Sequence, residues 1–355
     1  MLAAALAVAA PLAGLALAGQ PVAAYARFPP RTEYVAHAPF SWTAFALLAV
    51  PAIAALGLFA RAFIRSRPSS HDPGTHGFPW WGWIGVALAG AGWIVAWREG
   101  LAPAEWRRQS FTVLWLGYIL AMNALAWRRA GRSPLTHRTA WYLWLFPASA
   151  AAWWLFEYLN QFVDNWHYAG IAAGSDWDYF LQGTLPFSTV LPALASTWAW
   201  LATFPRLEGL SLPAVRGHRA AAWAALAAGV AILAGLGLWP EMLFSGLWVA
   251  PLLLVAGLQW LLTGESFFAP LARGDWRCVL QPAAAALVCG FFWELWNFGS
   301  LAKWHYSIPF VQRFHLFEMP LLGYAGYLPF GVGCALLMDL LSQINTPARR
   351  RIRID

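Results

Sequence analysis

The chain of 355 residues is 60% hydrophobic and only 11% charged, with a formal net charge of +7. That excludes an ordinary soluble domain, in which about a quarter of residues are charged, and a disordered chain, which needs low hydrophobicity. A mean hydropathy of +0.52 and 25 tryptophans point instead to a multi-pass membrane protein with its indoles at the bilayer interface.

Residues 1–26 carry no charge and end in Ala24-Tyr25-Ala26. They read either as a signal peptide without its basic start or as a first span. Further apolar runs lie near 42–60, 80–97, 111–127, 141–156, 183–204, 220–239, 243–263, 278–298 and 320–342. At about 20 residues per crossing, the expectation is an all-α, multi-pass integral membrane bundle of nine or ten transmembrane helices. Pro51, Pro147, Pro192 and Pro251 sit inside these runs, as membrane helices allow when neighbours satisfy the freed carbonyls.

Of the 23 basic residues, 16 fall in one set of alternate loops, among them Arg128, Arg129, Arg216 and the tail from Arg349 to Arg353. The positive-inside rule then places the C-terminus in the cytoplasm and loops 157–182 and 299–319 outside. The expected location is the inner (cytoplasmic) membrane. Scattered single arginines form no nucleic-acid groove. Cys278, Cys289 and Cys334 lack C-x-x-C spacing and read as small apolar residues.

An internal repeat is the main signal. WWLFEYLNQFVDNWHY (153–168) and FWELWNFGSLAKWHY (292–306) both carry E-x-x-N followed by W-H-Y. Glu157, Asn160, Trp166, His167 and Tyr168 match Glu294, Asn297, Trp304, His305 and Tyr306 at an offset of 137 or 138. Leu191-Pro192 and Leu328-Pro329 extend the match. Both copies close a span running in the same direction, so the expectation is a parallel tandem four-helix repeat. Its halves are 80–204 and 220–342, after an N-terminal region 1–79 and before a basic tail 343–355.

Glu and Asn at i and i+3 share a helix face. A carboxylate in a membrane span faces protein or water rather than lipid. Two such faces would place Glu157 and Glu294 in one outward-facing cavity, with Glu318 as a third carboxylate. In an enzyme these three are the candidate catalytic acids and bases. Asn160, Asn297, Trp166, Trp304, Tyr168, Tyr306, His167 and His305 are the candidate binding groups, and aromatic faces suit a cationic intermediate. A carrier would use the same groups as its outer gate, and a scaffold would use them to hold the halves together. A set of Glu157, His167, Glu294 and His305 offers metal-ligand types, but their spacing matches no tight motif. No metal and no cofactor is therefore assigned. The expected partners are membrane lipids and a lipophilic small molecule.

The strings FPWWGW (78–83), LWLGYILAMNAL (114–125), FWELWNF (292–298) and FEMPLLGYAGYLPFG (317–331) resemble those of an uncharacterised family of polytopic bacterial inner-membrane proteins. The last two spans also bear a partial resemblance to the lycopene cyclase domain and the membrane carotenoid hydratases. The residues that carry it are Glu294, Trp304, Tyr306, Glu318 and Pro320. Here a single Glu318 precedes Met319-Pro320, whereas the cyclase pattern has paired acids after the proline. That resemblance implies acid–base chemistry on an isoprenoid-like lipid.

Overall fold

The computed structural model describes residues 1–68 and 74–344. His71 and the Arg349–Arg353 tail lie outside the described residues. About 70% of the chain is helical, with almost no sheet. The first six helices are α1 (Leu2–Leu17), α2 (Trp42–Arg65), α3 (Trp80–Trp97), α4 (Ala104–Ala130), α5 (Pro134–His137) and α6 (Thr139–Asn160). Strand β1 (Trp166–Ala169) precedes α7 (Asp176–Phe187), α8 (Val190–Leu201), α9 (Pro205–Glu208) and α10 (Arg219–Leu238). Next come α11 (Pro240–Leu243), α12 (Gly246–Thr263), α13 (Arg277–Gly299) and strands β2 (Lys303–Tyr306), β3 (His315–Leu316) and β4 (Met319–Pro320). Helix α14 (Tyr327–Ile344) closes the described fold.

Among the described residues, seven helical segments are long and apolar enough to cross a membrane: α2, α3, α4, α10, α12, α13 and Leu321–Gln343. The other three expected spans each depart for their own reason. Helix α1 has only 16 residues. Helix α6 has 22 residues, but tryptophan, tyrosine, Pro147 and Glu157 dilute its hydropathy. The run at 183–204 is split into α7 and α8 around Ser188 and Thr189. Pro186 and Pro192 flank the split, and neither can donate a backbone hydrogen bond. Ser149 of α6 repairs it, donating to the Phe187 carbonyl at 2.6 Å and accepting from Leu191 N–H at 3.0 Å.

Contacts between loops sort the two arginine-bearing loop sets to opposite ends of the bundle. At one end Arg31 meets Asp176 at 2.8 Å, His37 meets Glu241 at 2.6 Å, and Arg108 Nε donates to the Gly170 carbonyl at 3.1 Å. At the other, His76 N–H donates to the Arg128 carbonyl at 2.8 Å and Leu212 N–H to the Gly274 carbonyl at 3.2 Å.

The central core joins α4, α6, α8, α13 and α14 through Trp115, Tyr142, Leu145, Leu194, Trp293 and Phe330. Asn123 makes an interhelical bond there, donating to the Tyr142 hydroxyl at 2.9 Å, and that hydroxyl donates to the Pro192 carbonyl at 2.9 Å. A second core joins α1, α10 and α12. Helices α3 and α4 pack with their backbones nearly touching. A Cβ on Gly117 would lie 2.4 Å from the Ala89 nitrogen, and one on Gly85 would lie 2.7 Å from the Ala121 nitrogen. Small residues permit such approach, and close packing drives helix association in lipid, where the hydrophobic effect does not.

Gly117→Leu should therefore lower the melting temperature in detergent, by the equivalent of about 1–3 kcal/mol or more. Gly90→Leu on the same helix pair meets open space and should leave the melting temperature unchanged. Equal melting of both variants would overturn this account of the α3–α4 contact.

Candidate functional site

The two matched segments meet. Strands β1 and β2 pair antiparallel, with Trp166 opposite Tyr306, His167 opposite His305, and Tyr168 opposite Trp304. The two W-H-Y triplets are thus centred on each other, and the two imidazole centroids lie 5.7 Å apart.

Each asparagine fixes its own triplet to its own helix. Asn160 donates to the Trp166 carbonyl at 2.7 Å and accepts from Asn165 N–H at 2.9 Å. Asn297 donates to the Trp304 carbonyl at 2.8 Å and accepts from Trp304 N–H at 2.9 Å. Both asparagines are 0% exposed. A buried amide needs such partners, because an unpaired one forfeits its full desolvation energy.

Glu157 and Glu294 are 2% and 0% exposed, and aromatic side chains supply their donors. Oε1 of Glu157 accepts from Tyr168 Oη at 2.5 Å, Trp153 Nε1 at 2.9 Å and Trp166 Nε1 at 3.1 Å. Oε1 of Glu294 accepts from the hydroxyls of Tyr306 and Tyr327, both at 2.8 Å, and Trp304 donates to the Tyr306 hydroxyl at 2.8 Å. Burial, and then the charge of the adjoining glutamate, raise the Tyr168 and Tyr306 phenols well above their ordinary range. Both stay protonated and able to donate. Oε2 of Glu294 is buried with no hydrogen-bond partner among the described residues.

Trp153 and Tyr327 were not singled out by the sequence match, because the two matched segments recruit this donor from different places. Trp153 precedes Glu157 by one helical turn. The matching position before Glu294 is Gly290, and a Cβ there would meet the Tyr327 ring at 2.5 Å. The missing side chain makes room for a donor that comes from α14 instead. A glycine where the partner copy has tryptophan was the available signal.

The rings that bind the two carboxylates also wall one cleft of about 1190 Å3, counting its open mouth. Trp153, Trp166 and Tyr168 come from one carboxylate's shell, and Trp304, Tyr306 and Tyr327 from the other's. Period-two alternation places the ring pairs on one face of the β1–β2 ribbon and the two histidines on its other face. There His167 meets the edge of Tyr34 at 5.7 Å. His305 Nδ1 lies 3.1 Å from Glu318, which also binds Lys303 at 2.6 Å. So Glu318 joins His305 and Lys303, not the buried pair. Burial alone would raise the Glu318 carboxyl, but the Lys303 hydrogen bond and charge, with His305, hold it below the ordinary carboxylate range. Burial and the neighbouring His305 lower the His167 imidazole.

Among the described residues, no three His, Cys, Asp or Glu side chains gather in a way that would share a metal ion. Cys278, Cys289 and Cys334 are free thiols. No protein-family model matches the chain, and no curated protein or solved structure shows significant similarity to it.

Two outcomes follow. Tyr327→Phe removes one of two donors on a buried carboxylate and should destabilise by about 1–3 kcal/mol, read as a lower melting temperature. An unchanged melting point would remove Tyr327 from the shell. Glu318 has a depressed folded pKa, so its contribution is present above the unfolded value of 4.5 and is lost as pH falls through the lower folded value. Glu318→Gln should therefore melt below wild type at pH 7, and the gap should close on acidification below pH 4.5. A gap independent of pH would contradict the ion-pair assignment.

Proposed function

We propose that this protein binds and converts a lipophilic, isoprenoid-like substrate by acid–base chemistry in the aromatic cleft. One observation carries the reading: two buried carboxylates are held by aromatic donors, Glu157 by two indoles and a phenol and Glu294 by two phenols, and those rings wall a single cavity. In a polar site those donors would be water or amides. Here every donor also offers a π face, which stabilises positive charge on a hydrocarbon.

The chemistry that fits is proton-initiated. One carboxyl, acting through Glu294 Oε2 or Glu157, gives its proton to an alkene carbon, whose π electrons form the new C–H bond. The adjacent carbocation lies against the rings. The other carboxylate removes a proton from a neighbouring carbon, and those C–H electrons restore a double bond. Separate carboxyls with separate environments can hold the acid and base roles. Asn160 and Asn297 position the triplets, and Glu318 orders the outer end of the ribbon.

The same reading takes the chain as two tandem four-helix halves. Support comes from matched packing, in which α3–α4, α4–α8 and α6–α8 recur as α10–α12, α12–α14 and α13–α14. The α4 and α12 ends also match, each closing on a left-handed glycine whose N–H donates to a tryptophan carbonyl, Trp127 for Gly131 and Trp260 for Gly264. With the arginine-rich end in the cytoplasm, the cleft opens to the outer side of the inner membrane. A carrier is the second reading, favoured by the broken span α7–α8, since discontinuous helices border substrate sites in transporters. Phe187 and Val190, on either side of the break, line the cleft.

Glu157→Gln and Glu294→Gln are nearly isosteric. Each should keep the fold and abolish turnover of the lipid that co-purifies with wild type, identified by solvent extraction and mass spectrometry. Loss of vesicle flux with no chemical product would favour the carrier. Full activity in both variants, or extraction of bulk phospholipid alone, would overturn the enzyme reading.

A further inference from the structure

The cleft is not uniformly apolar. Arg108, Gln109, Gln182 and Lys303 line it together with the rings, and three of the four gather at one place. Arg108 Nε donates to the Gly170 carbonyl at 3.1 Å. Gln182 Nε2 donates to the Ala172 carbonyl at 3.1 Å and to Asp178 Oδ1 at 2.9 Å, which uses both of its N–H groups. Lys303 stands opposite Ala169 at the end of the β1–β2 ribbon. All three are thus tied to the short stretch 169–172, where the chain leaves β1.

The charges there do not cancel. Lys303 is neutralised by Glu318 at 2.6 Å. Arg108 makes no ion pair among the described residues, and its single hydrogen bond uses only Nε. The guanidinium is therefore held by one edge, with its two terminal nitrogens left for a ligand. The Oε1 atoms of the buried Glu157 and Glu294 are taken up by their aromatic donors rather than by Arg108. Away from this end the walls are Trp153, Trp248, Trp293 and Phe187.

A cleft with a fixed cation at one end and rings elsewhere is amphipathic in the same sense as a single-headed lipid. We infer that the substrate carries an anionic, phosphate-type head, which Arg108 binds at the 169–172 end beside Lys303, and an apolar tail lying among the rings. This rests on the lipid reading of the cleft given above. It adds a head group to that substrate and assigns Arg108 its recognition. Planar guanidinium matches phosphate oxygens in a two-point contact that a lysine cannot reproduce. The same contact would take free phosphate, so the test separates the two sources.

The test uses full-length protein in a sugar-headed, uncharged detergent. Saturable binding of radiolabelled farnesyl phosphate is measured, with unlabelled farnesyl phosphate, farnesol and inorganic phosphate as competitors. Farnesyl phosphate should compete at a concentration about tenfold or more below farnesol, the scale of one charge-assisted contact. Inorganic phosphate should not compete in that range. Arg108→Gln should weaken farnesyl phosphate to the level of farnesol while leaving farnesol unchanged, and Arg108→Lys should recover only part of the loss. A melting temperature for each variant confirms the fold. Equal competition by farnesol and farnesyl phosphate in the wild type, or no effect of Arg108→Gln, would overturn the head-group assignment and leave the cleft reading standing. Competition by inorganic phosphate at the concentration of the lipid would replace the lipid head with a free-phosphate site. Absence of saturable binding by either lipid would sink both this inference and the reading it rests on.

Discussion

Burying a carboxylate inside a helical bundle is the constraint around which this molecule is arranged. Removing such a group from water is so unfavourable that it persists only with hydrogen bonds aimed at it. Glu157 and Glu294 obtain theirs from indoles and phenols. That choice fixes much else, because the donor rings have to be delivered by several backbone elements at once. Helix α6 supplies Trp153, the ribbon supplies Trp166, Tyr168 and Tyr306, and α14 supplies Tyr327. The asparagines then anchor the ribbon, since the rings reach the glutamates only if the strands sit close over the helix ends.

The two shells solve one problem by different routes. In the first, the glutamate oxygen takes three donors directly. In the second, it takes two, and Trp304 reaches it only through the Tyr306 hydroxyl. A relay of that kind polarises each member, which strengthens the bond to the carboxylate. The two acids therefore sit in unlike surroundings despite matched sequence, and unlike surroundings are what acid and base roles require.

Much of the bundle was legible in the sequence. Apolar length and the absence of charge marked 80–97 and 278–298 as spans to within a residue of α3 and α13. The repeat pointed to the residues that meet across β1 and β2, because the same chemistry stands in both copies. What hid from view is physical in origin. Tryptophan and tyrosine lower the hydropathy of α6 although Trp141, Tyr142 and Trp154 are buried in protein. The split at Ser188 lies between two prolines, but the serine that satisfies its freed backbone groups, Ser149, is in another helix, which no local pattern reveals. Tyr327 lies 33 residues from the glutamate it serves, and the residue that admits it is a glycine, a position where the repeat looks simply broken. Arg108 lay outside the matched strings and was counted only as a topological charge.

The centred pairing of the two triplets also bears on how the protein is made. Strand β1 has no partner until β2 emerges, more than a hundred residues later in synthesis. Until then its backbone groups are an open edge, and Glu157 has two of its three donors, Trp166 and Tyr168, on a strand that nothing holds from the other side. Long-range pairing of this kind forms late, since the intervening chain has to be ordered first. The chain up to β1 thus reaches the membrane with that strand unpaired, and β2 completes it. A chain cut between β1 and β2 would lose more than a set of helices: it would leave β1 with an exposed edge, a template for pairing with another chain.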